Sequence, residues 1–167
     1  MALTEEPASQ SYCSCEAIAH GTLGLIEPSE MVARVVCDPR HLRKDGSIKP
    51  GVFPPLHIAK KGLSLMRPRH LTCDELKIHS NAVAAHDDRD TAVGVIECRA
   101  SIIRALIETD GTRSVCLFDD PVIDDPVVPD NLAHALLIAA KEVPEEDVTE
   151  IRTRLVLAFS ALRRFAD

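Results

Sequence analysis

Short β-rich segments alternate with helical patterns along this chain, and this alternation constrains the fold more than any other sequence feature. The strand-like segments read "EMVARVVC", "KGLSLM", "TAVGVIEC" and "SVCLF", and proline- or glycine-rich loops follow several of them. A doubly wound sheet requires a more regular alternation of strands and helices than this one. The sequence therefore predicts an α+β fold with a small mixed or antiparallel sheet and two to four helices.

Two helical segments carry specific end signals. Thr72 and Glu75 have the spacing of a capping box, which predicts a helix over residues 73–86 with His79 on its apolar face. After Pro144 the segment "EEDVTEIRTRLVLAFSALRRFA" has acids in its first turn, arginines in its last turn and one apolar stripe. This segment predicts a C-terminal amphipathic helix.

Three further segments give weaker local signals. The segment "RASIIRALIE" favours a short helix with Ser101 as its cap, and "YCSCEAIAHG" suggests a short helix ending at Gly21. The segment "LAHALLIAA" fits either a strand or a helix. Residues 1–11 are polar and interrupted by proline, so we expect a flexible arm there and a single α+β domain over residues 12–167.

Composition limits the compartment and the partners. The N-terminus lacks the basic and apolar regions of a signal peptide, and no apolar run reaches the roughly 20 residues of a membrane-spanning helix. We therefore expect a cytoplasmic protein that does not contact membranes, with most of its six cysteines as buried thiols. The net charge of −7 disfavours nucleic acid as the main partner, although "RHLRK" and "RPRH" leave a local basic patch open.

Metal and cofactor motifs are weak in this sequence. It contains no phosphate-binding loop, no G-x-S-x-G motif and no H-E-x-x-H motif. Cys13, Cys15 and His20 lie close together, but the two cysteines are closer than zinc ligands usually are, which leaves metal binding there open. The aspartates of the loop over residues 119–130 do not have EF-hand spacing, and a stiff solvated loop is the favoured interpretation. We predict no metal and no cofactor.

Two histidines and an arginine form the one candidate catalytic set. His41 follows the first strand, Arg67 follows the second, and His134 begins the last apolar run. Two imidazoles can act as base and acid in metal-independent phosphodiester cleavage while a guanidinium holds the phosphate. The alternative for His134 is a core imidazole hydrogen-bonded to a backbone carbonyl.

The segments "ARVVCDPRHLRKDGSIKPGVF", "KGLSLMRP", "IRAL" and "DDPVVPDNLAHALL" occur in this order. Together they resemble a loosely defined group of small uncharacterised bacterial proteins. In that group a strand-turn-His motif, a Leu-Ser-x-x-Arg motif and an Asn-x-Ala-His-Ala motif recur in this order. The resemblance spans roughly residues 30–140 and marks five candidate catalytic residues, namely His41, Ser64, Arg67, Asn131 and His134. It implies no particular reaction.

Two functions remain open from the sequence. In the first, the chain is an accessory domain that acts through a protein partner, which it contacts with its C-terminal helix and acidic loop. In the second, it is an RNase-like or nucleotide-handling enzyme that uses His41, Arg67 and His134. The acidic composition and the absence of a catalytic motif favour the first. The second requires these three side chains to line one pocket.

Overall fold

Residues 16–167 are described by a computed structural model, in which six strands form one antiparallel sheet. The strands are β1 (Met31–Asp38), β2 (Leu63–Met66), β3 (Thr91–Arg99), β4 (Val115–Asp119), β5 (His134–Ala139) and β6 (Arg163–Arg164). The helices are α1 (Cys73–Ala84), α2 (Ala100–Arg104) and α3 (Thr149–Ala158), with a π-helical turn at His57–Lys61 and several short 3-10 turns. This arrangement confirms the predicted α+β fold. The predicted N-terminal arm lies outside the described residues, as do Cys13 and Cys15.

The sheet has the strand order β4-β5-β2-β1-β3-β6, so the first strand lies near its centre. β1 pairs with β3 along its whole length, whereas its ladder with β2 consists of the single pair Ala33 and Met66. Beyond this pair β1 and β2 form no further ladder pairs, and the Arg34 side chain of β1 donates a hydrogen bond to the Ser64 carbonyl of β2. The centre of the sheet is therefore the place where its backbone pairing is weakest.

The two faces of the sheet bury two separate cores. On the larger face α2, α3 and the π-helical turn pack against alternate residues of the strands, such as Val32, Val36 and Leu137. On the smaller face α1 packs through Leu76 and Ala84 against Ala33, Val35, Cys37 and Val95. α1 lies over β1 and β3, and a loop of residues 120–133 adjoins the neighbouring part of the same face.

The capping box predicted for α1 is present in both directions. Thr72 Oγ1 accepts a hydrogen bond from the backbone N–H of Glu75, and the Glu75 carboxylate accepts one from the N–H of Thr72. The helix ends at Ala84, two residues before the predicted end. The ambiguous segment around His134 is a strand, and α2 is helical as predicted, but Ser101 lies inside it while Arg99 precedes its first turn.

Two local predictions are wrong. The C-terminal helix ends at Ala158, and Arg163 and Arg164 form β6 instead of its last turn, because this segment finds partners along β3. The Arg163 guanidinium donates two hydrogen bonds to the Glu97 carboxylate, and the Ser160 N–H donates to the Glu97 carbonyl. In its described part, residues 16–20, the segment predicted as a helix before Gly21 is irregular, with bends and no helix.

The described cysteines differ in state. Cys37 and Cys98 are buried free thiols, Cys73 is an exposed free thiol, and Cys116 takes part in a disulfide bond that the sequence did not predict. Within residues 16–167, no helix is long and apolar enough to cross a membrane.

Candidate functional site

A cleft of about 120 Å³ opens on the smaller face of the sheet, where α1 and the loop over residues 120–133 meet the strands. Its walls are mostly aliphatic. Its polar lining consists of Arg34 on β1, Ser64 on β2, His79 and His86 on or just after α1, and Asn131 and His134 at the end of the loop.

Strand register places two of these residues side by side. Met66 on β2 is directly opposite His134 on β5, and Ser64 is opposite Leu136. Side chains of directly opposed residues, and of residues two positions along, share one face of an antiparallel sheet. Ser64 and His134 are therefore diagonal neighbours on the face that forms the floor of the cleft.

The His134 ring is held by Asp120. Its Nδ1 lies 2.5 Å from the Asp120 carbonyl oxygen and 3.3 Å from Oδ2 of the same residue. Since a carbonyl oxygen only accepts hydrogen bonds, Nδ1 carries the proton, and Nε2 of the neutral ring has a free lone pair. The hydrogen bond with His134 is also the main reason that the pKa of the Asp120 carboxyl is lowered, although partial burial opposes this effect. The shorter contact, to a backbone carbonyl, is the one that the core-imidazole alternative predicted for His134, and the Asp120 carboxylate lies beside the same ring nitrogen.

Arg34 places a buried positive charge beside the cleft. Its Nε donates to the Val52 carbonyl at 2.9 Å and its Nη1 to the Ser64 carbonyl at 3.0 Å. No carboxylate of the described residues forms a salt bridge with it, and only 6% of the residue is exposed. Burial lowers the pKa of the Arg34 guanidinium to about 10, so the group remains charged at neutral pH. A buried charge that is hydrogen-bonded only to neutral carbonyls favours a nearby anion.

Asn131 and Ser64 supply two further polar groups. Asn131 Oδ1 accepts a hydrogen bond from the Ala133 N–H at 3.0 Å, which leaves the side-chain Nδ2 as its donor. The Ser64 hydroxyl forms no hydrogen bond with any described residue. On the α1 side of the cleft, burial lowers the pKa of the His79 imidazole.

His41 does not line the cleft. The residue is 2% exposed, and its Nδ1 accepts a hydrogen bond from the Cys37 N–H at 3.0 Å. Burial, with the charges of Arg34 and Arg40, lowers the pKa of the His41 imidazole to about 4. The backbone N–H of His41 also donates to the Cys37 carbonyl, so the residue holds the turn that follows β1.

Arg67 does not line the cleft either. Its guanidinium is fully buried and donates to both carboxylate oxygens of Glu30, at 2.6 and 3.0 Å. It also donates to the Gly24 carbonyl at 3.0 Å, so it ties the end of β2 to the segment before β1.

The structure therefore brings together three of the five sequence-predicted site residues, Ser64, Asn131 and His134. Sequence reasoning missed Arg34 and His86 and placed His79 only on a helix face. An arginine inside the apolar segment "MVARVVC" was the available signal for Arg34, because a charge in a central strand requires a special partner.

The acidic loop has its own hydrogen bonds. Asp125 Oδ1 accepts from the N–H groups of Val127 and Val128, and Asp130 Oδ1 accepts from the Asp124 N–H. These hydrogen bonds within the loop stabilise the conformation in which it lines the cleft. Across residues 16–167, no group of three or more His, Cys, Asp or Glu side chains could hold a metal ion.

Comparisons with protein-family models, with curated proteins and with solved structures found no match to this chain.

Proposed function

We propose that this protein binds a small anionic compound in the cleft and acts on it by acid–base chemistry. The observation that carries the proposal is that His134, held by Asp120, and Arg34 both contribute to the lining of one cleft. The Arg34 guanidinium crosses the gap between β1 and β2 to the Ser64 carbonyl and has no carboxylate partner among the described residues. His134 supplies a proton acceptor, and Arg34 supplies charge for the ligand.

The role of Arg34 follows from its surroundings. A guanidinium bound only to carbonyls keeps its full charge, and a carboxylate or phosphate group in the cleft would neutralise it. Because only 6% of Arg34 is exposed, this attraction is stronger than it would be at an exposed arginine.

The role of His134 follows from its tautomer. With Nδ1 protonated by contact with Asp120, the ring is prepared to take a proton at Nε2. The Asp120 carboxylate, 3.3 Å away, would stabilise the imidazolium that results.

The size and lining of the cleft favour a small aliphatic compound. Among the described residues no Phe, Tyr or Trp side chain lines it; its rings are the imidazoles of His79, His86 and His134, and its volume is about 120 Å³. Valine, leucine, alanine, methionine and proline side chains form most of its wall. This lining supports a compact carboxylate or phosphate ester over an RNA strand.

The first test uses histidine ring resonances of the wild-type protein during titration with inorganic phosphate and with acetate. We expect the His134 and His79 rings to shift with saturation, while His41, which is buried away from the cleft, stays unchanged as an internal control. Unchanged His134 resonances with both anions would overturn the proposal.

The second test compares Arg34→Met with Arg89→Met, a matched control at an exposed arginine outside the cleft. We expect Arg34→Met to weaken phosphate binding by at least roughly tenfold, or about 1.4 kcal/mol, and Arg89→Met to leave it unchanged. Calorimetry measures both constants, and circular dichroism checks that each variant is folded. Equal affinity of a folded Arg34→Met protein would contradict the assigned role.

A further inference from the structure

We infer that Ser64 is a catalytic nucleophile that His134 activates, and that the substrate is a small aliphatic ester bearing an anionic group. This inference rests on the proposed function, since it uses the same cleft and the same base. It adds a covalent step and a substrate class.

The geometry of the sheet brings the two groups together. Ser64 and His134 lie on paired antiparallel strands, two positions apart in register, and both line the cleft. Diagonal neighbours of this kind have Cβ atoms within about 8 Å, which an imidazole ring can bridge. Such hydrogen bonds are often long in the unliganded state and shorten when substrate binds.

The Ser64 backbone is firmly held. Its carbonyl accepts from Arg34 Nη1, and the residues on both sides, Leu63 and Leu65, are buried in the larger core. The hydroxyl has no partner among the described residues, so it is free to donate to the lone pair on His134 Nε2. A fixed backbone with an uncommitted hydroxyl is what a positioned nucleophile requires.

The chemistry balances with water as the only co-reactant. Ser64 Oγ forms a bond to the acyl carbon while its proton moves to His134 Nε2. The ester C–O bond then breaks, and the leaving oxygen takes the proton from Nε2, which yields the alcohol. Water, deprotonated by the same nitrogen, attacks the acyl-serine, and the carboxylic acid and the free hydroxyl are formed.

Two other groups have roles in this scheme. Asn131 Nδ2 is the donor that faces the negative oxygen of the tetrahedral intermediate, since Oδ1 is already bound to the Ala133 N–H. Arg34 holds the anionic group of the substrate, which selects charged esters over neutral ones.

The experiment treats the folded chain with methanesulfonyl fluoride, a small reagent that sulfonylates activated serine hydroxyls. Intact mass and peptide mapping are then recorded for the wild type, Ser64→Ala, His134→Asn and the control Ser47→Ala. Ser47 lies in an exposed turn, where its hydroxyl is hydrogen-bonded to Asp45.

We expect one adduct on Ser64 in the wild type and in Ser47→Ala, and none in Ser64→Ala. The reaction of His134→Asn should be slower by at least about 100-fold, the usual contribution of a positioned base. Monomethyl succinate should be hydrolysed by the wild type and not by Ser64→Ala. An adduct at another residue, or no adduct, would overturn the inference.

The phosphate titration of the same preparation separates the two proposals. If the His134 resonances shift with phosphate while Ser64 is never modified, the assignment of Ser64 as the nucleophile is wrong and the proposed function stands. If neither occurs, both are wrong.

Discussion

Arg34 and Arg67 are both buried, and the presence or absence of a carboxylate partner distinguishes their roles. Arg67 is neutralised by the Glu30 carboxylate inside the protein, at 0% exposure of both side chains. Arg34 donates to carbonyl oxygens and has no carboxylate partner among the described residues. A neutralised guanidinium contributes to structure, whereas one without a counter-charge favours an external anion. The two have similar sequence contexts, each in or beside an apolar strand.

His41 gives a prediction at this scale. The fold disfavours the protonated ring, so the unfolded chain takes up a proton at a higher pH than the folded chain. The contribution of the neutral His41 ring to the free energy of unfolding should therefore be complete above about pH 6.5. It should decrease as the pH falls to about 4 and change no further below that pH. His41→Asn keeps an acceptor for the Cys37 N–H but removes the titration.

The measurement is urea unfolding of both proteins between about pH 7 and about pH 4. We expect the wild type to lose about 3 kcal/mol more than His41→Asn over this interval. The other histidines with lowered pKa values are common to both proteins and cancel in the comparison. Parallel pH curves would show that the His41 ring is not held in its neutral form.

At the scale of elements, the C-terminal segment illustrates a competition between helix and strand. The apolar stripe and the charges predicted a helix that continues to Arg164, and the local pattern is satisfied as far as Ala158. Beyond Ala158 the chain pairs with the edge of β3, which would otherwise be unpaired. Ser160 and Arg163 form hydrogen bonds with Glu97 that a continued helix would not allow. Non-local pairing therefore overrides local propensity here.

Gly94 allows β6 to approach β3. A Cβ at this position would lie 2.2 Å from the Arg163 carbonyl oxygen, which is backbone and cannot rotate away. We expect Gly94→Ala to lower the free energy of unfolding by about 1–3 kcal/mol and to speed amide exchange over residues 163–165. Chemical unfolding and hydrogen exchange measured by mass spectrometry test both effects.

The matched control is Gly51→Ala, because a Cβ there meets no atom within 4 Å and Gly51 is not a positive-φ glycine. It should change stability by no more than about 0.5 kcal/mol. Equal behaviour of the two variants would mean that the close approach at Gly94 is unimportant.

At the scale of the whole molecule, one sheet joins two cores of different size. Leu155 is fully buried in the larger core and Leu76 in the smaller one, and both cores use alternate residues of β1. Because the two cores share strands, we expect a loss of packing in one core to destabilise the other. We expect the described residues to unfold as one cooperative unit.

Leu155→Ala and Leu76→Ala test this coupling. Each should lower the single urea midpoint, with a loss of about 2–5 kcal/mol for the fully buried Leu155. Hydrogen exchange of amides in β5 and β3 should follow the same transition in both variants. A separate early transition in Leu76→Ala would instead identify the α1 side as an independent unit.

The role of a protein partner stays a prediction. α3 buries Ile151 and Leu155 in the larger core, and the acidic loop lines the cleft, with Asp125 and Asp130 accepting hydrogen bonds from backbone N–H groups of the same loop. The apolar stripe of α3 therefore packs within the chain itself, whereas much of the acidic loop, including Val127 at 78% exposure, lies on the surface.

The sequence by itself determined the fold class, most of the strands and the start of α1. These features depend on hydrophobic alternation and on helix capping, which involve residues close together in the chain. Only the tertiary structure decided which histidines and which arginine share a site. Register between β2 and β5 brought Ser64 to His134, and Glu30 neutralised Arg67 while no described carboxylate neutralised Arg34. Such pairings join residues far apart in the chain, so no local pattern encodes them.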